Sequence, residues 1–364
     1  MSLDAPSSRT EEEPRRLPSN AVNVRTPVPR DVWEELFAAD RHALAEHGPR
    51  WVEAICATGP WRDASRLYEL GDGRRFVLPL VRKVGAAGAG GWYASPPAAW
   101  GMGGLVGPDQ DGAAVHAVVR DLRGLGAVRI SIRPNPLTAP MWADVQGSGI
   151  TAIPRYGHVL DLSGGLEAVE GLRNKSTRRG LRRAAKEGVQ VELDHTGALL
   201  PVHYQLYLNA VRHWSDRQRE PLALALFRAK RRDPLEKLQA MAKHLGEDFC
   251  HFVAYHDGRP VASSIMLIGP AAHDTRAAMD RELAGPVRAN DLLQARSIEH
   301  ALERGCTEYH LGESGANEQL AAFKERFGAV GHHYAEYRIE RLPVTRVDSA
   351  ARGTVKRLIG FKDA

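Results

Sequence analysis

Two stretches of the chain decide the fold: Leu67-Tyr68-Glu69-Leu70-Gly71-Asp72-Gly73-Arg74-Arg75-Phe76-Val77-Leu78-Pro79-Leu80 and Phe252-Val253-Ala254-Tyr255-His256-Asp257-Gly258-Arg259-Pro260-Val261-Ala262. In each stretch, two apolar segments flank an Asp-Gly pair, an arrangement that is a strong short-range signal for a β-hairpin. The chain therefore predicts the same hairpin twice, once around Asp72 and once around Asp257.

A second pattern also occurs twice. The segments at residues 122–132 and 302–311 each predict a helix that ends at a left-handed glycine and is followed at once by a strand. The two glycines, Gly126 and Gly305, are 179 residues apart. Each half then closes on an alternating strand, the first at 156–162 and the second at 334–339. The recurring order indicates a duplicated α/β fold, and paired halves usually enclose a ligand-binding cleft.

Bulk composition is that of a soluble globular protein. The 364 residues are 43% hydrophobic and 26% charged, which suits two domains with a core each. No apolar run approaches the ~20 residues of a membrane helix, and the N-terminus lacks the apolar segment of a secretory signal. Cys56, Cys250 and Cys306 are far apart, so we expect no disulfide, no metal site and a cytoplasmic location. The net charge of +5 permits a polyanionic partner.

Composition along the chain divides it into two halves between two tails. The predicted segments are a disordered tail at 1–27, a first half at 28–165, a second half at 166–346 with a basic helix at 172–187 and a helical insert at 198–246, and a C-terminal tail at 347–364.

The basic helix is the densest charge in the sequence. Residues 173–186 carry seven cations and no acid, and at helical spacing most of the cations share one arc while Leu181 and Ala184 lie opposite. Because no acid offsets them, these charges repel one another. Two interpretations stay open: a surface that binds phosphates of RNA or a nucleotide, and a solvated face. The arc contains Lys175, Arg178, Arg179, Arg182, Arg183 and Lys186.

A lysine near the second-half sheet is a candidate for chemistry. The stretch Tyr309-His310-Leu311-Gly312-Glu313-Ser314-Gly315-Ala316-Asn317 predicts a strand that runs into a polar loop, and a helix follows. Lys324 on that helix lies beside Phe323 and near the ends of strands, where sites of α/β proteins gather. Such a lysine can hold a developing oxyanion. From the pattern alone, a lysine that snorkels past a pair of phenylalanines is the other interpretation.

The run Phe323-Lys324-Glu325-Arg326-Phe327-Gly328-Ala329 resembles the C-terminal signature of Fem-type transferases, the peptidoglycan-bridge aminoacyltransferases and their acetyltransferase-like relatives. Residues 183–191 resemble the basic helix that opens the second domain of that superfamily. The loop at 93–108, with its prolines and paired glycines, resembles the family's substrate loop. The resemblance extends from about Asp31 to Arg341.

This resemblance implies a fold and an activity. The fold would be α/β, in the sense of α+β, with tandem GNAT-like domains that are each a mixed twisted sheet flanked by helices. The activity would be transfer of an acyl or aminoacyl group to an amine. Lys324 and Phe323 match the family's Lys-Phe position near the reaction centre.

One departure bears on the donor. A GNAT that uses acyl-CoA usually carries a glycine-rich loop for the pyrophosphate before a helix. The matching residues 283–291 contain one glycine, and Pro286 removes an amide donor. Arg288 and the helix N-terminus near Asn290 and Asp291 remain candidates for binding an anion. No P-loop, dinucleotide-binding glycine motif or Gly-x-Ser-x-Gly elbow occurs in the sequence.

The leading hypothesis is therefore an acyltransferase in which an amine attacks the ester of an aminoacyl-tRNA, with no other cofactor. Lys324 would stabilise the oxyanion, and Glu313 or Asp280 would accept the amine proton. The alternatives are an acyl-CoA-dependent N-acetyltransferase and a non-catalytic RNA-binding protein. Expected substrate contacts are Phe323, Tyr93, Trp100, Arg133, Arg288, Asn290 and Tyr309; expected tRNA contacts are Lys175, Arg178, Arg179, Arg182 and Arg183. The acceptor, whether peptide, cell-wall precursor or small molecule, and the oligomeric state are not predicted.

Overall fold

The computed structural model of the protein describes residues 22–85 and 91–358. The first half contains four of the elements named here before the first hairpin and seven from it onward. They are β1 (Val22–Arg25), α1 (Arg30–Ala39), α2 (Pro49–Thr58), β2 (Trp61–Asp63), β3 (Arg66–Leu70), β4 (Arg75–Leu78), β5 (Val81–Lys83), β6 (Trp92–Ser95), α3 (Gly112–Gly124), β7 (Arg129–Ile132) and β8 (Ile150–Asp161).

The second half repeats this plan with more helix. Its elements are α4 (Gly165–Leu172), α5 (Lys175–Lys186), β9 (Gln190–Asp194), α6 (Leu200–Gln218), α7 (Leu222–Arg232), α8 (Leu235–Leu245), β10 (Phe249–His256), β11 (Arg259–Ile268), β12 (Ala272–Met279), α9 (Arg281–Val287), α10 (Ala289–Glu303), β13 (Glu308–Glu313), α11 (Glu318–Glu325), β14 (Val330–Glu340) and α12 (Val344–Leu358).

The duplication and both hairpins are confirmed. The pair β3–β4 turns at Gly73 and the pair β10–β11 turns at Asp257-Gly258, where both residues have positive φ, +50° and +70°. The helix, glycine and strand pattern is realised as α3–β7 and α10–β13. In both halves a strand precedes helices, a hairpin, a strand, a helix and two strands.

The first hairpin is bent, whereas the second is nearly continuous. Backbone pairing runs from β2–β5 into β3–β4 but is interrupted at Ser65 and Leu80, where the Ser65 hydroxyl donates to the Leu80 carbonyl. The outer part of the hairpin therefore leaves the main sheet and pairs with β1 in a separate three-stranded sheet.

The last strand of each half is exchanged. The main sheet has 11 strands in the order β2-β5-β6-β7-β14-β8-β13-β12-β11-β10-β9. Strand β14 pairs with β7 of the first half, and β8 pairs with β13 of the second. The expected boundary at 165/166 therefore separates the halves in sequence but not in space, because each half supplies the strand that completes the other. The sheet is mixed, since β6–β7 and β12–β13 are parallel and the other pairs are antiparallel.

A shared core also joins the halves. Helices α1 and α2 of the first half pack with α6 and α8 of the second around buried side chains such as Trp51, Met241 and Leu267. Polar contacts cross the same seam, because His42 pairs with Glu308 at 2.9 Å and His273 hydrogen-bonds Glu46.

Both expected tails are shorter than predicted. Residues 1–21 and 359–364 lie outside the described part, so the prediction of disorder there is not tested. Residues 22–25 form β1, because their alternating side chains pair with β3. Residues 347–358 belong to α12, which continues from Thr345 after its side chain and amide bind Glu340. Within the two described ranges, no helix has the length and apolar character needed to cross a bilayer.

The shared sheet and core predict that the halves unfold together. Six of the seven tryptophans lie in the first half, so tryptophan fluorescence reports mainly on it, whereas far-UV circular dichroism reports on both. Ile298→Ala, which removes a fully buried side chain of α10 in the second half, should cost about 2–5 kcal/mol. Both signals should shift to the same lower urea midpoint. A fluorescence transition that stays in place while the dichroism shifts would show independent halves.

Candidate active site

Two parallel strands separate where the candidate site lies. Strands β12 and β13 pair only at Ala272–Tyr309 and His273–His310. Beyond that point β12 bulges against β11, so that Thr275 has no partner between Asp274 and Arg276. Strand β13 changes direction at Gly312, whose φ is +72°. The carboxyl ends of two parallel strands thus diverge, which is where open α/β sheets bind ligands.

Lys324 reaches this divergence from α11. Asn317 caps the helix by accepting a hydrogen bond from the amide of Leu320, and Lys324 follows two turns later. Its side chain is buried, 5% exposed, and Nζ donates to the carbonyls of Gly312 at 2.8 Å and Glu313 at 2.9 Å. Burial lowers the pKa of Lys324 to about 8, although Asp274 and Glu313 oppose the shift. Lys324 therefore does not extend its ammonium to solvent. It places that buried positive charge inside the β13 bulge.

Asp274 is the acidic partner that the sequence analysis missed. Its Oδ1 atom is buried and has no hydrogen-bond partner among the described residues. Burial raises the pKa of Asp274 to about 7, while His273 and Lys324 favour the ionised form. In the sequence Asp274 stands among other polar residues, His273, Thr275 and Arg276, so no signal singled it out. Asp274 and Lys324 are therefore an electrostatically coupled acid–base pair at the end of β12.

The site has two faces because it lies at the middle of the sheet. Residues opposite each other on neighbouring strands share a face. His158 lies 3.6 Å from Glu325 of α11, so its face carries α11 and Lys324, and we call it the lysine face. The register places Glu313 opposite Gly157 on the other face, which we call the arginine face. The carbonyl of Glu313 binds Lys324 while its side chain points to the arginine face.

Glu313 is held in a polar cluster on the arginine face. Tyr334 donates to its carboxylate at 2.6 Å, and Arg155 and Arg133 approach it at 3.5 and 3.9 Å. The same two arginines bind Glu336, whose pKa they lower, despite burial, to about 2. The Nε atoms of Arg133 and Arg155 are buried and lack a partner within the described chain. The cluster thus pairs two arginines with two glutamates, is partly open to solvent and is centred beside the Glu313 carboxylate.

Two other predicted site residues, Asp280 and Tyr309, make structural contacts. Asp280 caps α9, where its Oδ1 accepts hydrogen bonds from the amides of Glu282 and Leu283, and its expected role as proton acceptor stays a prediction. Tyr309 is fully buried on the lysine face, and its hydroxyl accepts a hydrogen bond from Gln294. It is therefore a core residue and not a substrate contact.

Trp100 is also removed from the substrate contacts. Its ring is 7% exposed and packs edge-on against Trp51 at 5.4 Å. The Nζ atom of Lys237, from the second half, lies 4.6 Å from the centre of the ring. Lys237 also donates to the carbonyl of Ala99 and to Asp233. Helix α8 of the insert therefore packs against the 93–108 loop of the first half through Lys237.

The remaining aromatic candidates lie at the edges of cores. Tyr93 pairs across β6–β7 with Ile130 and packs partly buried against the core under α3. Phe323 is partly buried, 5.3 Å from Phe327 in ring-centre distance, and the guanidinium of Arg326 lies over its face at 5.1 Å. Phe323 thus packs next to Lys324 on α11, whereas Tyr93 belongs to the wall of the first half.

The predicted anion site at α10 is filled by the protein. Residues 281–287 form α9 instead of a loop, and Arg288 enters α10 in the left-handed region with a φ of +59°. Asp291 in the first turn is 3% exposed and lies 3.4 Å from Arg326. A Cβ atom at Gly180 of α5 would lie 2.1 Å from its Oδ2. A carboxylate and a closely packed helix therefore occupy the place of a pyrophosphate, and these residues do not fit one. Asn290 beside them is partly exposed.

The basic helix forms as predicted, at Lys175–Lys186. Asn174 caps it through the amide of Thr177, and Thr177, Gly180 and Ala184 face the protein. Arg173, just before it, is buried and binds Glu170 at 3.2 Å. The cations Lys175, Arg178, Arg179, Arg182, Arg183 and Lys186 are exposed.

Comparison with known proteins agrees with this architecture. Residues 172–325 match the model of the acetyltransferase (GNAT) domain family. A search of the curated proteins found no match. The solved structure of FemX is similar over 89% of this chain and 99% of its own, with a TM-score of 0.66 and 14% identity. The C-terminal domain of a candidate lysylphosphatidylglycerol synthetase from Agrobacterium fabrum is similar over 90% of this chain and 96% of its own, with a TM-score of 0.50 and 14% identity.

These similarities show the fold. The GNAT family match covers the second half, the FemX similarity covers both halves, and the sheet contains the plan twice. The protein therefore has a fold similar to that of FemX, in which the plan of the second half, where the GNAT domain model matches, is present twice in one sheet.

Proposed function

We propose that the protein is an aminoacyltransferase that moves an aminoacyl group from aminoacyl-tRNA to an amine. The observation that carries this proposal is the buried Lys324 ammonium, held in the β13 bulge beside the unpartnered carboxyl oxygen of Asp274. An ammonium fixed in a place sheltered from water is suited to stabilise negative charge that develops on a carbonyl oxygen.

The chemistry uses both members of the pair. The nitrogen of the acceptor amine attacks the ester carbonyl of the donor, and Lys324 stabilises the resulting oxyanion. Asp274 takes the proton that the amine loses. The C–O bond to the ribose then breaks, and the proton passes to the departing ribose oxygen as the amide forms. Asp274 replaces the expected Glu313 and Asp280 in this role, because those two carboxylates are already bound.

The donor side favours tRNA over acyl-CoA. GNAT enzymes hold a pyrophosphate at the N-terminus that corresponds to that of α10. Here Asp291 occupies this place, and Gly180 of α5 packs directly against its carboxylate. Helix α5 itself presents its exposed cations to solvent, and a stripe of this kind suits a polyphosphate chain such as RNA. We therefore propose that α5 binds the tRNA backbone.

The acceptor side is the arginine face. Arg133 and Arg155 keep buried Nε donors without partners, and Glu313 lies between them and the Lys324 bulge. We propose that an amine-bearing acceptor lies along this cluster, so that donor and acceptor reach the bulge from opposite faces of the sheet.

Replacing Lys324 tests the catalytic assignment. Lys324→Met keeps the side-chain length but removes the ammonium, and kcat for transfer from a pool of charged tRNAs should fall about 10²–10³-fold. Lys243→Met, at an exposed position on α8, is the matched control and should be unchanged. The assay follows labelled amino acid from tRNA into amide, with ribonuclease and with acetyl-CoA as alternative donor. Transfer from acetyl-CoA alone, or an unchanged kcat in Lys324→Met, would contradict the proposal.

The acid–base pair predicts a bell-shaped pH profile. Activity should rise as Asp274 loses its proton near its pKa of about 7, and fall as Lys324 loses its proton near its pKa of about 8. The optimum of kcat/KM for the donor therefore lies between these values. Asp274→Asn should lower kcat and abolish the rising limb, and Lys324→Met should abolish the falling limb. A rising limb that persists in Asp274→Asn would assign the base elsewhere.

The charges of α5 should act on donor binding and not on chemistry. Arg178→Gln with Arg182→Gln removes two exposed cations, so KM for charged tRNA should rise about tenfold or more at constant kcat. Each lost phosphate contact should lower the slope of log KM against log salt by about 0.7–0.9, so the loss of two contacts should lower it by roughly 1.5. Arg217→Gln with Arg231→Gln, on α6 and α7, removes the same charge elsewhere and serves as control. Equal effects of the two pairs would show only a general charge effect.

A further inference from the structure

Three potential metal ligands meet away from the candidate active site. His195 follows β9, Cys250 lies in β10, and His300 lies near the end of α10. One ligand atom of each lies within 4.8 Å of the others. The Sγ atom of Cys250 is 3.8 Å from Nδ1 of His195, and because Nδ1 also hydrogen-bonds the Phe249 carbonyl at 2.9 Å, Nε2 of His195 is the nitrogen left for a metal. A small movement of the side chains would bring these atoms to the edges of a zinc coordination polyhedron.

The histidine from α10 already has the arrangement of a ligand. Its Nε2 is buried and has no hydrogen-bond partner in the described part of the chain. Its Nδ1 lies 3.5 Å from a carboxylate oxygen of Glu303. Metal-binding histidines usually give their second ring N–H to a carboxylate or carbonyl, which leaves the other nitrogen free for the metal. His300 thus offers a buried lone pair that no described group uses.

The cysteine has no competing strong bond. Cys250 is fully buried, and its sulfur is 3.8 Å from the carbonyl of Glu247 as well as from His195. Burial raises the pKa of the Cys250 thiol to about 12, and the nearby Arg304 guanidinium, itself held by Asp248 at 2.7 Å, opposes that shift only in part. His195 and His300 are half-buried, so an ion can enter from their side.

We infer that His195, Cys250 and His300 form a site for a thiophilic divalent cation, with Zn²⁺ as the best match. One thiolate and two imidazoles suit zinc, and three protein ligands leave the fourth position to water. Binding displaces the thiol proton to solvent. The ion would tie β9 and β10 to α10, and none of its three ligands is a residue of the proposed transferase chemistry.

Sequence spacing conceals this site. The ligands are more than 45 residues apart from one another, and zinc motifs are normally recognised from ligands a few residues apart. The prediction of no metal site rested on that spacing, whereas the fold brings an edge strand, its neighbour and a helix together.

The test is zinc binding by the full-length protein. After treatment with a chelator, the protein should bind one Zn²⁺ in competition with a chromophoric chelator, and Co²⁺ should give a thiolate charge-transfer band. Glu303→Gln should weaken binding about 10–100-fold, and Cys250→Ser and His300→Ala by more. Cys56→Ser, on α2, is the control and should bind as the native protein does.

Loss of zinc binding in a variant can be distinguished from misfolding of that variant. The His300 side chain is 17% exposed and near the end of α10, so His300→Ala should keep the circular dichroism of the metal-free protein even if Cys250→Ser does not. No stoichiometric Zn²⁺ binding, no cobalt–thiolate band, or equal affinity in folded His300→Ala would overturn the site. Because the readout is metal affinity, the result does not depend on transferase activity.

Discussion

The pairing of β8 with β14 is the constraint on which the rest of the structure depends. Its ladder runs from Val159–Val330 to Ile150–Ile339, and each of the two strands is the missing neighbour of the other half. The exchange places the end of the first half beside β13, the strand that carries the Lys324 bulge. It also makes the two halves one sheet, so the seam is a continuous structure rather than an open cleft between domains.

The bulge in β13 connects two faces that side chains alone could not connect. At Glu313 the carbonyl serves Lys324 on the lysine face, while the carboxylate serves Tyr334 and the arginines on the other. Glu313 therefore links the polar cluster to the Lys324 ammonium through one residue of backbone.

Local patterns predicted the elements well, and the topology poorly. Asp257-Gly258, Gly305 and the capped helix at Lys175 could be recognised because their geometry is set by neighbouring residues. The strand exchange could not, because alternating strands look the same whichever neighbour they pair with. Site residues followed the same rule: Lys324 carries a family signature, whereas Asp274 acquires its character from a bulge, and Trp100 and Tyr309 lose theirs to packing. Asp280 has a structural role as the cap of α9, and a capping aspartate looks like a catalytic one in sequence.

The exchanged strand has a consequence for how the chain is made. During synthesis β8 leaves the ribosome before both of its partners, which follow some 150 residues later and thus roughly ten to thirty seconds afterwards. Throughout that interval two unpaired strand edges are exposed to other nascent chains. Pro154 and Arg155 interrupt the apolar pattern of β8 at its middle, and such residues blunt an edge against intermolecular pairing. Arg155, a member of the polar cluster on the arginine face, thereby also protects the unpaired strand during synthesis.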